Sequence, residues 1–294
     1  MSPAVEVKAS PLPLNSPDNE SGAASNPLEA DGLAGLYHNR NLLGLMVKRD
    51  CLGKYKGSLL GVLWPLINPI GHLLLYTFLF CIVLKVRLGS AGDGSTGNFA
   101  LYLMAGLLPW GAFAEALSRA STIILEHPNL VKRVVFPLQI LPLINVLSAL
   151  VTEAFAFAIL LVAVLAYKHY LPVTLAYLPL IALSQFLLTA GLSWIVGSLS
   201  VYIRDIRHIM ALALSAGMYA TPIVYPASAL PAKAGFLLWI NPMAGIVLDY
   251  RRVVLEGLPP DWQHYGIYTT MAVVAFVLGL KFFEKTKKSF ADVM

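Results

Sequence analysis

The sequence predicts an all-α, polytopic membrane protein, and three observations carry that expectation. Of its 294 residues 57% are hydrophobic and only 13% charged. Runs without Asp, Glu, Lys or Arg cover 59–84, 98–114, 134–152, 169–203, 208–232 and 262–280, and ~20 apolar residues in a helix suffice to cross a hydrocarbon core about 30 Å thick. A β-barrel would show ~10-residue segments of alternating polarity, and none is visible. Third, most of the 21 Lys and Arg fall before the first run, around 119–137, at 201–208 and in the last residues. Basic residues mark cytoplasmic flanks, so six spans with both termini cytoplasmic satisfy the pattern.

The elements follow in order. Residues 1–32 are rich in Pro, Ser, Asn and Gly and lack aromatics, which reads as a disordered tail, with no signal-peptide pattern. In 33–58, Leu36, Leu42, Leu43, Met46 and Val47 recur at helical spacing opposite Arg40, Lys48, Arg49, Lys54 and Lys56. That is the pattern of an amphipathic helix lying in the headgroup plane. Span 1, about 61–85, holds Trp64-Pro65 and Asn68-Pro69, and these prolines should kink its first turns. Spans 2 to 5 are expected at about 98–118, 138–166, 174–200 and 208–227, with a short amphipathic segment at 120–127. The uncharged stretch 234–248 is short and broken by Asn241-Pro242, and a seventh span would put the termini on opposite sides. It therefore reads as short re-entrant or extracytoplasmic helices between span 5 and span 6, the last at about 262–282. Residues 59–284 then form the transmembrane domain and 285–294 a basic cytoplasmic tail. In VYIRDIRHIM, 201–210, the charges sit at a turn, where they avoid the ~2.5–3.5 kcal/mol each would cost at the membrane centre.

The chemistry-bearing residues are few. There is no G-x-x-x-x-G-K-[ST] phosphate loop, so uphill movement of a substrate would need another chain to supply the energy. The six His are scattered without metal-ligand spacing, and no catalytic cluster stands out, so no enzyme activity, cofactor or metal is expected in this chain. A net charge of +5 placed on membrane flanks gives no reason to expect nucleic acid. Two acids lie within spans, Glu115 and Glu153, and intramembrane acids are functional candidates by default; Arg119 is a partner for Glu115 at i, i+4. Trp64, Phe99, Tyr102 and Tyr225 fit interfacial belts. Tyr76, Trp110, Phe113 and Tyr219 lie deeper and are candidates to line a passage, because an aromatic face matches the C–H face of a sugar.

Several stretches, in order, resemble the ABC-2-type polysaccharide exporter permeases. RDCLGKYKGSLLGVLWPLINPI resembles the approach to their span 1, and PNLVKRVVFPLQILPL their segment before span 3. VYIRDIRHI with TPIVYP resembles their span 4–5 turn and next helix, NPMAGIVLDYRRVVLEG their stretch before span 6, and KTKKSFADV their tail. The resemblance is strongest to O-antigen (lipopolysaccharide) permeases of the Wzm type, with capsule and teichoic-acid permeases as relatives. It implies a homodimer in the bacterial inner membrane, paired with two copies of a separate ATPase that binds ATP and Mg. Its substrate would be a glycan on undecaprenyl diphosphate. It further implies ATPase contacts at Glu126 and His127 and at Arg204 and Asp205, and on such a substrate the basic Arg49, Lys54 and Lys56 are expected to receive the diphosphate by charge-assisted hydrogen bonds. Two other readings share parts of this pattern: an ABC-2 exporter of small hydrophobic drugs or lipids, and a membrane-embedded transferase acting on lipid-linked sugars.

Overall fold

The computed structural model describes residues 32–54, 56–57, 60, 63–83, 96–132, 136–231, 233 and 235–294. The expected tail, 1–32, lies outside the described residues except for Gly32, and so does most of the loop after span 1. Among the described residues the chain is helical with no strand: α1 (Gly32–His38), α2 (Arg40–Gly53), α3 (Trp64–Tyr76), α4 (Thr96–Ala120), α5 (Pro128–Lys132), α6 (Ile140–Lys168), α7 (Leu178–Tyr202), α8 (Ile206–Ala220), α9 (Leu237–Ile240), α10 (Pro242–Arg251), α11 (Trp262–Lys287) and α12 (Phe290–Val293).

Among the described residues four helical stretches are long and apolar enough to cross a membrane: Phe99–Ala120, Ile140–Lys168, Val173–Tyr202 and Trp262–Lys287. They match expected spans 2, 3, 4 and 6. The other two expected spans are shorter. The 13 residues of α3 cover about 20 Å at 1.5 Å per residue, with Pro65 in its first turn and Pro69 inside it, and a π-helical segment, Thr77–Val83, continues it. The 15-residue α8 covers about 22 Å and stops at Ala220, not at 227. Pro222 and Pro226 lack the N–H a helix needs there, and Thr221 is already extended.

Other boundaries also move. The interfacial segment is two helices parted at Asn39, whose Nδ2 donates back to the Gly35 carbonyl. The apolar face of α2 packs through Leu42, Leu43, Met46 and Val47 onto the α6 core, so protein covers it. Residues 121–126 are turns, and the short helix there is α5, which Pro128 opens. The stretch 234–248 is indeed broken: α9 ends at Asn241, whose side chain caps α10 by accepting from the Met243 N–H. The last span runs on to Lys287, so the tail begins inside a helix.

The centre is a bundle of α4, α6, α7 and α11, with α10 wedged among α4, α7 and α11. Where α7 crosses α11, a β-carbon at Gly191 would strike the Ala275 backbone, and one at Gly279 would strike the Gly191 carbonyl. Small residues let membrane helices approach backbone to backbone. Trp194, fully buried, donates its indole N–H to the Gln139 carbonyl at 2.9 Å and sets its ring against Phe276.

Candidate functional site

One end of the bundle collects the charges. α1 touches α11, α12 packs on α5 and α7, and the Tyr202 hydroxyl donates to the Thr286 carbonyl. The N-terminal helices, the 121–132 segment, the α7–α8 turn and the C-terminus therefore share that end. Arg204, Asp205 and Glu126 are exposed there. His127 is half-buried, its Nδ1 2.9 Å from the Ile123 carbonyl. The 120s segment and the 200s turn thus lie on the same end of the molecule.

α2 is fastened to the same end by four charges. Arg119 grips Asp50 with two parallel bonds, Nη2 to Oδ1 at 2.6 Å and Nη1 to Oδ2 at 2.9 Å, the bidentate geometry that makes such pairs strong. Lys54 Nζ donates to Glu115 Oε1 at 2.6 Å, and Arg119 Nη1 stands 3.8 Å from that oxygen. Burial alone would push the Asp50 carboxyl up. Its bonds from Arg119 and Ser148, with the nearby charges of Arg119 and Lys54, outweigh burial and hold it below the usual carboxylate range. Of the three basic residues expected beside a diphosphate, Arg49 and Lys56 are exposed, whereas Lys54 is committed to Glu115. The i, i+4 pairing expected for Glu115 and Arg119 is its longer, weaker contact.

Deeper in the bundle, Glu153 is buried, and its partner comes from another helix. Gln185 of α7 donates Nε2 to Glu153 Oε2 at 2.8 Å and to the Pro109 carbonyl at 3.2 Å. Gln185 Oε1 accepts the Tyr250 hydroxyl at 2.9 Å. One network thereby ties α4, α6, α7 and α10, and Glu153 Oε1 is left with no hydrogen-bond partner among the described residues. Gln185 and Tyr250 were missed because a search for charges passes over an amide and a phenol inside apolar runs.

At the opposite end Arg251, only 1% exposed, threads its guanidinium beneath the loop after α8. It donates to the carbonyls of Tyr102, Pro222 and Ile223 at 3.1, 2.5 and 2.6 Å and lies 3.5 Å over the Tyr102 ring. Carbonyls freed where α8 breaks thus find donors, as membrane-depth backbone requires. A β-carbon at Gly106 would meet the Arg251 Nη2 at 2.5 Å, which explains the glycine. Next to Arg251 the buried Asp249 accepts from the Asp261 N–H and the Tyr268 hydroxyl, both at 2.9 Å.

The expected channel aromatics separate. Trp110 and Phe113, each 7% exposed, face the protein interior with ring centroids 5.4 Å apart. The Trp110 ring lies over Gly217 of α8, so within one chain Trp110 packs the α4–α8 seam. Tyr219, 69% exposed, projects from α8. The Tyr76 side chain lies outside the described residues. No group of three or more His, Cys, Asp or Glu close enough to hold a metal occurs among the described residues.

A sequence model of the family described as "ABC-2 type transporter" matches residues 41–247. The chain is 29% identical over 259 residues to the O-antigen export system permease protein RfbA of Myxococcus xanthus, covering 87% of this chain and 96% of that one. It is 28% identical to an RfbA of Klebsiella pneumoniae, over 86% and 95% of the two chains. The polysialic acid transport protein KpsM of Escherichia coli is 21% identical over 243 residues, 82% of this chain and 90% of its own.

Proposed function

The chain belongs to the ABC-2 type transporter family, and from that premise we propose that it is the permease subunit of an ATP-driven exporter of O-antigen-type polysaccharide. The glycan crosses the inner membrane while attached to undecaprenyl diphosphate. The observation that carries this reading is the extent of the likeness to the O-antigen permeases, which spans nearly their whole length.

The structure supports the division of labour this implies. A separate ATPase pair, holding ATP and Mg, docks on the end where Glu126, His127, Arg204 and Asp205 gather, and that end is cytoplasmic. Six spans result when α3 with its π segment and α8 cross as short, broken helices beside the four long ones. Both expose apolar side chains: Leu74, Leu75, Phe78 and Ile82 on one, Ile209, Leu212 and Tyr219 on the other. A second copy of the chain meets these faces, and the glycan path runs between the copies past Tyr219. Arg49 and Lys56 receive the diphosphate by charge-assisted hydrogen bonds, while Lys54 anchors α2.

Deleting the gene tests the reading. Polymer should vanish from the cell surface and accumulate inside, and the wild-type chain should restore it, whereas Arg204→Glu with Asp205→Arg should not. Surface polymer unchanged by the deletion would contradict the assignment.

A further inference from the structure

A groove of about 400 Å³ runs between α7 and α11 toward the charged end of the bundle, lined by Ile195, Leu278, Lys281, Phe282 and Lys285. Its floor is hydrocarbon. Leu278 is 58% exposed and Phe282 37%, and Val274 and Val277 continue the exposed apolar strip along α11. Lys281 and Lys285 stand one turn apart at i, i+4, where like charges repel. Both are exposed, and among the described residues neither has an ion-pair or hydrogen-bond partner. Glu284, the acid between them in sequence, does not neutralise them. Its Oε1 is buried under the start of α1, where a β-carbon on Gly32 would meet it at 3.4 Å. A cation in the last turn complements the helix dipole, which accounts for Lys285 and Lys287. It does not account for Lys281, which lies about 9 Å short of the helix end at 1.5 Å per residue. A free anion would answer the two ammoniums and leave the apolar floor uncovered. An acidic phospholipid answers both, because its phosphodiester accepts from the ammoniums while an acyl chain covers the hydrocarbon. Basic pockets between membrane helices bind such headgroups.

We propose that this groove holds an acidic phospholipid, with its phosphate between Lys281 and Lys285 and one acyl chain along Leu278, Phe282 and Ile195. The site is built on α7 and α11, apart from the exposed α8 face and from Arg49 and Lys56, and binding there does not depend on the polysaccharide reading.

The test uses the full chain in phosphatidylcholine nanodiscs that carry phosphatidylglycerol with a diazirine on one acyl chain, and crosslinked residues are mapped by mass spectrometry. Labelling at Ile195, Leu278 and Phe282 should saturate with the probe's mole fraction and exceed, by ~10-fold or more, that from a phosphatidylcholine probe at the same level. Lys281→Gln and Lys285→Gln should each weaken it about fivefold, the effect of one cation at a lipid surface. The double variant should fall to the phosphatidylcholine level, whereas Lys281→Arg with Lys285→Arg should retain labelling. Leu278→Trp, at an exposed position, fills the groove without touching either lysine and should also weaken labelling.

Equal labelling by the two probes overturns the proposal, and so does labelling that survives the double Gln variant or Leu278→Trp. Arg207, exposed on α8, serves as the control: a loss with Arg207→Gln as large as with either lysine variant also overturns it, since the attraction is then diffuse. Displacement by millimolar inorganic phosphate would show an anion site with no use for the chain. Displacement by geranylgeranyl diphosphate more readily than by unlabelled phosphatidylglycerol would give the groove to a polyprenyl diphosphate. Either result overturns the assignment to a phospholipid.

Discussion

α7 and α11 meet backbone to backbone through Gly191 and Gly279, whereas α3 and α8 keep apolar side chains on the outside. The first pair is long and makes its close crossing within one chain, although α11 also exposes Val274 and Leu278. The second is short, interrupted by prolines or a π segment, and on α8 only Ile206 is buried. Packing inside the chain therefore accounts for the bundle and leaves the two peripheral helices incompletely explained. A rigid scaffold carrying two loosely held helices suits a machine in which motion at one end must open a path elsewhere, since broken helix ends absorb such changes.

The contrast is broken most severely at its tight end. Gly191→Leu or Gly279→Leu should cost more than ~4 kcal/mol, the range of severe overpacking and backbone clash, and should abolish accumulation of folded chain, as fluorescence size-exclusion chromatography would show. Next in size is the tether of α2. Arg119→Ala leaves the half-buried Asp50 with only Ser148 and the nearby Lys54 charge, and should cost about 2 kcal/mol, below the ~3–5 kcal/mol of a fully buried pair because both side chains keep some solvent contact. Asp50→Arg with Arg119→Asp should recover part of that loss. Tyr250→Phe, which strips the donor from Gln185 Oε1, should cost ~1–3 kcal/mol, read as a drop in thermal midpoint. The smallest effect belongs to the loose helices: Leu212→Ala should change the stability of the single chain by less than about 0.5 kcal/mol while weakening self-association.

Acid sharpens the same comparison. Asp50 titrates below the ordinary 3.8, so its contribution is complete above that value and is lost as pH falls through the folded-state one. Protease protection of α2 should stay constant from about pH 8 to 5 and fail only below about pH 4. Loss near pH 6 would contradict the tether.

Much of this architecture was legible in the chain because charge-free runs and their basic flanks are direct consequences of the bilayer as solvent. The four long spans and the break at Asn241-Pro242 followed from that alone. The end of α8 was misplaced because a scan for charges reads TPIVYP as more apolar span, when its two prolines forbid further helix. Lys54 and Glu153 had partners 61 and 32 positions away, and helical spacing reveals only partners three or four apart. Trp110 is aromatic in a span, as expected, but composition alone does not pair its ring with Gly217 of α8. Gly217, where the Trp110 ring lies, was the missed hint.

The central proposal is that the exposed α8 face, rather than the equally exposed outer face of α6, meets a second copy of the chain. With Cys51 and Cys81 replaced by serine, single cysteines at Leu212 and at Val162, 74% and 68% exposed, can be oxidised in membranes. Leu212→Cys should give a disulfide-linked dimer and Val162→Cys should remain monomeric on a non-reducing gel. A dimer through Val162→Cys with none through Leu212→Cys would contradict the account.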